Sequence, residues 1–451
     1  MTVLAYMPAV LAAAVSIPFF YRVRSPAGIV LWIPKVLAQS AAPLVALLGL
    51  VGVVLGVLSR APLAVAAGLL GTLIPVLYVM RVSGSHDGFE RAFGADWQQR
   101  IPPEPSSGML RRRWVGLLPA HPEVPSQKDV VFWTLPAAET DEVANHGGEL
   151  LCDIWQPPEG TSPSGLAFVY LHGGSWHWMD KDFNTRPLFR HLAAQGHLVM
   201  DVAFRQCPEV DVRGMVGDVK RAVAWMKAHA ESYGVDPQRV VLAGGSSGGH
   251  LALLAAYTPD HAELTPEDVA SANTAVRGVV AYYGAADLSA VYRNFAAVFG
   301  SLMTGLQPGE GNILFKITGA MTGRVAGDAL EQKQDQPSFS IDWMMSNMTG
   351  GTLEEVPEAY ALLSPITHVS PAAPPTLLLQ GQHDFALPVR VTRALHDRLL
   401  EAGVPCILVE FPQTEHAFDV GLPWLAPSAQ AALHDVERFL ALLAASAENA
   451  A

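Results

Sequence analysis

Val240-Val241-Leu242-Ala243-Gly244-Gly245-Ser246-Ser247-Gly248-Gly249-His250-Leu251-Ala252-Leu253-Leu254-Ala255-Ala256 is the stretch that decides how this chain is read. A β-branched apolar run, a Gly/Ser cluster and a Leu/Ala run predict a strand, a sharp turn and a helix. Gly-x-Ser-x-Gly at such a turn lifts a serine hydroxyl clear of its strand, where a base can reach it. Glycine flanks the serine because side chains there would collide with strand and helix. Two frames fit: Gly244-x-Ser246-x-Gly248 and Gly245-x-Ser247-x-Gly249. The strand is expected to end at Ala243 or Gly244, so Ser246 takes the turn as nucleophile and Ser247 opens the helix. A flexible Gly/Ser linker is the competing reading; the apolar runs on both sides argue against it.

Acyl transfer through a serine needs N–H donors for the tetrahedral oxyanion. Upstream, Leu166-Ala167-Phe168-Val169-Tyr170-Leu171 runs into His172-Gly173-Gly174-Ser175-Trp176. An apolar strand entering His-Gly-Gly predicts an oxyanion loop, with Gly173 and Gly174 as donors and the Ser247 N–H as a third. His172 is expected to brace that loop rather than to react.

The partners of such a serine follow it in the order acid, then histidine. Pro375-Thr376-Leu377-Leu378-Leu379-Gln380-Gly381-Gln382-His383-Asp384 offers a strand, a turn and an acid, which points to Asp384 as the orienting carboxylate. The strand Cys406–Phe411 is followed by Pro412-Gln413-Thr414-Glu415-His416, which points to His416 as general base. A solvated turn aspartate and one of the other fourteen histidines are the respective alternatives.

With these motifs in place, the chain resembles the α/β-hydrolase superfamily, and within it the hormone-sensitive-lipase-like esterases. The resemblance rests on His172-Gly173-Gly174, on Phe204-Arg205-Gln206-Cys207-Pro208-Glu209, on Gly244 to His250, and on Asp384 with His416. It departs from the family pattern at Gly245 (usually Asp or His), at Ser247 (usually Ala) and at Phe204-Arg205-Gln206, where Tyr-Arg-Leu is usual. It implies hydrolysis of carboxylic esters with short to medium acyl chains, through a Ser-His-Asp triad and an acyl-enzyme. Arg205 and Glu209 are expected to be structural. The chemistry needs no metal or organic cofactor, and no motif for either is evident.

The first eighty residues are a different material. Met1–Tyr21, Ala41–Ser59 and Ala61–Met80 are apolar runs close to the ~20 residues that span a bilayer. Three transmembrane spans are expected over residues 1–82, with Gly28–Leu37 re-entrant or interfacial because it is short and carries Pro34 and Lys35. A buried soluble helical bundle is the alternative. A cleaved signal peptide is disfavoured by the lack of a basic start and by the further apolar runs. Arg22, Arg24 and Lys35 follow the first run; Arg81, Arg91, Arg100 and Arg111-Arg112-Arg113 follow the third. With three spans these basic stretches share a side, and that side is expected to be cytoplasmic. The expectation is an integral protein of a bacterial inner membrane with its hydrolase domain in the cytoplasm. Three scattered cysteines, without metal or disulfide spacing, agree with that compartment.

Residues 83–113 are expected to hold a juxtamembrane amphipathic helix and a linker. Phe89, Phe93 and Trp97 recur at helical spacing, on a face that suits either a lipid surface or the hydrolase domain. Pro102–Gly108 reads as the linker. Residues 1–113 carry ten Lys/Arg against four Asp/Glu, a charge of +6 within a total of −13. The rest is therefore strongly acidic, which argues against nucleic acid, while the basic part suits anionic lipid headgroups as partner.

Residues 114–451 fill one α/β domain. Strands are expected at 130–134, 149–155, 165–171, 197–203, 239–243, 277–283, 375–380 and 405–411, most of the later ones joined by helical patterns. That alternation predicts a mostly parallel sheet with helices on both faces. Residues 288–361 break the rhythm and carry Phe295, Phe299, Met303, Phe315, Met321, Trp343, Met344, Met345 and Met348. They are expected to form a lid over the acyl pocket, the alternative being an insertion that only packs on the sheet. A membrane-anchored esterase acting on a small lipophilic ester is the reading these features favour. An amidase or formamidase with the same triad is the runner-up, and a catalytically silent binding protein is the reading from another class.

Overall fold

The computed structural model describes residues 2–445 except 25, 102–107, 120–122, 137–138, 140–147, 183 and 304–339. The first 82 residues hold helices α1 (Thr2–Ser16), α2 (Trp32–Ser40), α3 (Ala42–Leu58) and α4 (Pro62–Val82). By length and composition α4 is long and apolar enough to cross a membrane; Gly28–Ser40 and α3, bent by 77° at their junction, would make a second span if taken as one. α1 falls short of a span because it gives way at Ile17 to a tighter turn opened by Pro18. The expected three spans thus become one helix of sufficient length, or two with the bent pair.

These helices meet through their smallest residues. A Cβ on Gly52 would lie 2.6 Å from the Ala9 Cα, and one on Gly68 would lie 2.7 Å from the Val53 N. Backbone is therefore in contact with backbone, as when small residues draw lipid-embedded helices together. Leucine and valine point the other way: Leu44, Leu47, Val54, Val57, Leu69 and Leu70 are exposed. Among the described residues, every exposed large hydrophobic side chain except Val115, Leu117, Val131, Leu400 and Trp424 lies before residue 81. A water-soluble bundle buries its leucines and shows its small and polar residues, so this arrangement is inverted.

The stretch joining these helices to the sheet is bound to the larger unit. Helix α5 (Gly88–Phe93) is less than two turns long, and Trp97 follows in a separate single turn. The expected continuous amphipathic helix is broken at Gly94, whose φ is +90°. Phe89 is buried and stacked on Trp97, and Phe93 meets Phe439 edge-on. Leu110 N donates to Glu437 Oε1 (2.6 Å), and Arg113 pairs with Asp435 (2.7 Å). Of the expected linker 102–108, residues 102–107 lie outside the described residues.

The sheet has eight strands: β1 (Ser126–Thr134), β2 (Glu149–Trp155), β3 (Ala167–Leu171), β4 (Leu198–Val202), β5 (Val240–Gly245), β6 (Gly278–Tyr282), β7 (Thr376–Gly381) and β8 (Cys406–Phe411). Their spatial order is β1-β2-β4-β3-β5-β6-β7-β8, with β1–β2 and β2–β4 antiparallel and all other pairs parallel. This is the α/β-hydrolase fold. All eight expected strands form, β1 starting four residues earlier than the apolar pattern indicates. Helices α6 (Arg186–Ala194), α7 (Val212–Ala228), α8 (Ser247–Tyr257), α9 (Leu288–Met303), α10 (Ile341–Thr349), α11 (Pro357–Leu362), α12 (Val389–Glu401) and α13 (Pro427–Ala444) complete the domain.

Alternation along β3 shows how the two faces are filled. Val169 and Leu171 join a core with α7 and α8, whereas Phe168 and Tyr170 join one with α6 and α13. Phe19, Tyr78, Val79 and Val82 belong to that second core, so the N-terminal helices continue into the sheet's packing. In the region expected as a lid, Met344, Met345 and Met348 of α10 are buried in the first core beside Phe295 and Tyr360. Phe315 and Met321 lie outside the described residues, as do the side chains of Phe299 and Met303.

Arg205, expected to be structural, forks onto Asp218 through Nε and Nη2 (2.9 and 2.7 Å). Arg221 adds contacts to Asp218, Glu139 and Asp268 (3.0, 2.6 and 2.9 Å). Glu209 is exposed. Asp218 is fully buried between the two guanidinium groups, so removing it takes away a buried carboxylate that both share. Asp218→Ala is expected to cost about 3–5 kcal/mol in urea unfolding; a loss under 1 kcal/mol would show that this network does not hold β4 to α7.

Candidate active site

Strand β5 ends at Gly245, and the chain reverses at Ser246 with φ 54° and ψ −117°. A non-glycine residue in this region is strained, and the turn holds it from both sides. Ser246 N donates to Tyr282 O (2.9 Å), and His250 N donates to Ser246 O (3.0 Å). The glycines separate the two frames. A Cβ on Gly248 would lie 2.0 Å from Leu171 O, and one on Gly244 would lie 2.4 Å from the Gly248 carbonyl carbon. Gly245 has only ordinary contacts, 3.4 Å from two tyrosine hydroxyls. Ser247 sits at the start of α8, its hydroxyl buried with no hydrogen-bond partner among the described residues.

Three elements far apart in sequence meet at the Ser246 hydroxyl. Ser246 Oγ lies 3.0 Å from His416 Nε2, and His416 Nδ1 lies 2.8 Å from Asp384 Oδ2. Asp384 is buried and held by four donors: Ala386 N and Leu387 N on Oδ1 (2.9 and 2.8 Å), Gln380 Nε2 and His416 on Oδ2. Fixed this way, the carboxylate presents Oδ2 to Nδ1–H, which leaves Nε2 as the acceptor facing the serine.

The His172–Trp176 loop covers the serine from the other side. A Cβ on Gly173 would lie 3.4 Å from the Ser246 Cβ, so this backbone passes directly beside Ser246. Gly174 has φ +140° and a Cβ there would overlap the Trp178 carbonyl, so only glycine fits. His172 is buried, stacked on Phe204 at 4.4 Å, and donates from Nδ1 to Gly173 O (2.8 Å). Burial lowers its pKa. It is placed to brace the loop and does not reach the serine–histidine pair.

Four features are not evident from the motifs. Trp176 Nε1 donates to His250 Nδ1 (3.0 Å), and His250 Nε2 donates to Leu363 O (2.8 Å), so His250 ties the loop to α8 and to the end of α11. Tyr283 packs 4.5 Å from the His416 ring and donates to the half-buried Asp419. Burial raises the Asp419 carboxyl. Glu415 is buried and paired with Lys35 of α2 at 2.9 Å; burial pushes its carboxyl up to about 7 against the pull of that cation. Trp32 Nε1 donates to the His416 carbonyl (3.1 Å). Tyr283 and Glu415 carry no motif, and the contacts of Lys35 and Trp32 run across some 380 residues.

Among the described residues no group of three His, Cys, Asp or Glu side chains is placed to hold a metal ion. What the arrangement can do is deliver an activated hydroxyl to a carbonyl beside a backbone rich in N–H donors.

A family model described as BD-FAE matches residues 152–307, and one described as the prolyl oligopeptidase family matches residues 298–448. LipM of Mycobacterium tuberculosis, named a probable carboxylic ester hydrolase, is 32% identical over 303 residues, which is 66% of this chain and 58% of LipM. Esterase LipQ of the same organism is 26% identical over 342 residues, 74% of this chain and 69% of LipQ. The chain therefore spans less than two thirds of LipM's length. A thermophilic esterase from the Planctomycetes species Thermogutta terrifontis aligns over 72% of this chain and 95% of its own at 23% identity, with a TM-score of 0.49.

His250 carries a pH prediction. Burial pushes its pKa down to about 4 from an ordinary 6.5. The folded state thus favours the neutral ring, whose contribution is complete above pH 6.5 and is lost as pH falls toward 4. The melting temperature is expected to drop over that window, and less steeply in His250→Gln. Equal slopes in the two proteins would show that His250 does not set this acid sensitivity.

Proposed function

We propose that this α/β-hydrolase chain is a membrane-associated serine hydrolase that cleaves carboxylic esters with short to medium, lipophilic acyl groups. The observation that carries the proposal is the hydrogen-bonded series Ser246–His416–Asp384 at the turn after β5. In this reading Ser246 Oγ attacks the acyl carbonyl while His416 Nε2 takes its proton. Asp384 holds the imidazole with Nδ1–H toward itself and stabilises the imidazolium. The N–H groups of Gly173, Gly174 and Ser247 receive the oxyanion, each such donor being worth about 3–4 kcal/mol in the transition state. His416 returns the proton to the departing alcohol, and water then releases the acid by the same steps. The names of LipM and LipQ favour esters over amides as substrates.

The remaining organisation belongs to the same proposal: residues 1–82 as membrane helices, 83–113 as the connection, and 114–451 as the hydrolase with an insertion at 288–361. The outward leucines and valines of α3 and α4 support contact with lipid. Residues 21–40 and 83–113 both touch the hydrolase domain, so both basic stretches fall on its side of α3 and α4. By the positive-inside rule that side is the cytoplasm, and the membrane is a bacterial inner membrane.

A fluorophosphonate probe tests the chemistry. Wild type and Ser247→Ala are expected to be labelled, and Ser246→Ala is expected to lose labelling and at least about 10³-fold in kcat. Absence of labelling in folded wild type would end the serine-hydrolase reading. Matched p-nitrophenyl esters and p-nitroanilides should show turnover of the esters; faster anilide cleavage would make it an amidase. For topology, protease added to intact cells is expected to spare residues 114–451, and their digestion would reverse the orientation.

A further inference from the structure

Resting on that reading, we infer that the N-terminal helices are a positioning part of the catalytic apparatus, with Lys35 and Trp32 setting the loops that carry His416 and Asp384. Four consecutive residues each receive a contact from these helices. Gln39 Nε2 donates to Gln413 O (2.8 Å), and the Tyr78 hydroxyl pairs with Thr414 Oγ1 (3.2 Å). Lys35 Nζ donates to Glu415 Oε1 (2.9 Å), and Trp32 Nε1 donates to His416 O (3.1 Å). Every residue of the segment ending at the base is therefore gripped by a side chain from before residue 80.

Lys35 also reaches the loop that carries the acid. Its ammonium donates to His383 Nδ1 (2.9 Å), one residue before Asp384, and to Tyr21 O (2.6 Å). With Glu415, that uses all three of its hydrogens. Lys35 and Glu415 are each fully buried, so neither charge can turn to water if the other moves. One cation thus links the residue beside the base to the residue beside the acid, fixing the separation across which His416 must meet Asp384 and Ser246. The Trp32 ring adds packing on Phe385, the residue after the acid, at 5.2 Å. A tether to the membrane would need none of these contacts. His416 makes only two side-chain bonds of its own, so its ring position depends on its backbone being held.

Placement errors near 1 Å cost about a hundredfold in rate, so loosening this grip should appear in turnover before it appears in binding. The test uses full-length protein in detergent micelles, with a p-nitrophenyl ester and the fluorophosphonate probe. Trp32→Phe keeps the aromatic contact and removes the one N–H. It is expected to lower kcat about threefold to tenfold at unchanged KM, with the labelling rate falling by the same factor. Lys35→Met is expected to lower kcat by tenfold or more. Because that variant leaves Glu415 buried and unpaired, Lys35→Met/Glu415→Leu is measured beside it. An apolar pair can restore the melting temperature, yet His383 still lacks its donor, so kcat is expected to stay low. A purely structural role would instead return kcat and melting temperature together in the double variant. That result, or kcat within twofold of wild type in folded Trp32→Phe, overturns the inference. If wild type itself takes no label, the hydrolase reading fails instead; if wild type labels and the variants match it, only this inference fails.

Discussion

The site hangs on a steric constraint between two strand ends. Helix α8 leaves β5 so close to β3 that the position of Gly248 has no room for one methyl group, 2.0 Å from Leu171 O. Gly244 is equally closed, against the Gly248 backbone. Those two glycines let the strand turn sharply enough to put Ser246 at φ 54°. The same proximity carries the His172–Trp176 loop, which continues from β3, over the serine. The placement of Ser246 and that of the His172–Trp176 loop are therefore one geometric consequence of how β3 and β5 pair.

Several polar groups buried in this domain are held by more than one partner. Asp384 has four donors, His250 bridges a tryptophan and a carbonyl, and Asp218 sits between two guanidinium groups. Each would be costly alone, since an unpaired buried charge loses hydration without recompense. Together they hold loops in single positions. That rigidity suits a reaction whose barrier falls with preorganised donors rather than with motion.

What could be read from sequence follows the range of the physical signal. Strands β2 to β8 are visible because alternation and β-branching are local, and the choice of Ser246 over Ser247 follows from where β5 ends. Order along the chain sufficed to nominate Asp384 and His416, since on this fold they follow particular strands. Lys35 was visible too, but only as a charge beside apolar runs, where it argues topology. Its contacts with Glu415 and His383 have no local trace. Phe89, Phe93 and Trp97 show the converse error: their spacing is helical, yet Gly94 interrupts the helix and tertiary packing against Phe439 decides where their rings go.

The N-terminal helices are where those two limits meet. Their apolar composition is legible, and it suggests a passive anchor. Their packing says more: small residues inward, leucines outward, and one polar element, α2, turned away from the apolar surface into the hydrolase. An anchor joined by a linker would leave α2 free to place Lys35 in water, where an ammonium is best solvated. Instead Lys35 is fully buried against Glu415, an arrangement whose desolvation is offset only when its partners are fixed. The partners are fixed because Glu415 and His383 adjoin His416 and Asp384, whose own geometry is held by the four donors on Asp384. Each side thus supplies the rigidity the other needs, and α2 is joined to the loops of His383 and Glu415 by fixed contacts rather than by a flexible tether.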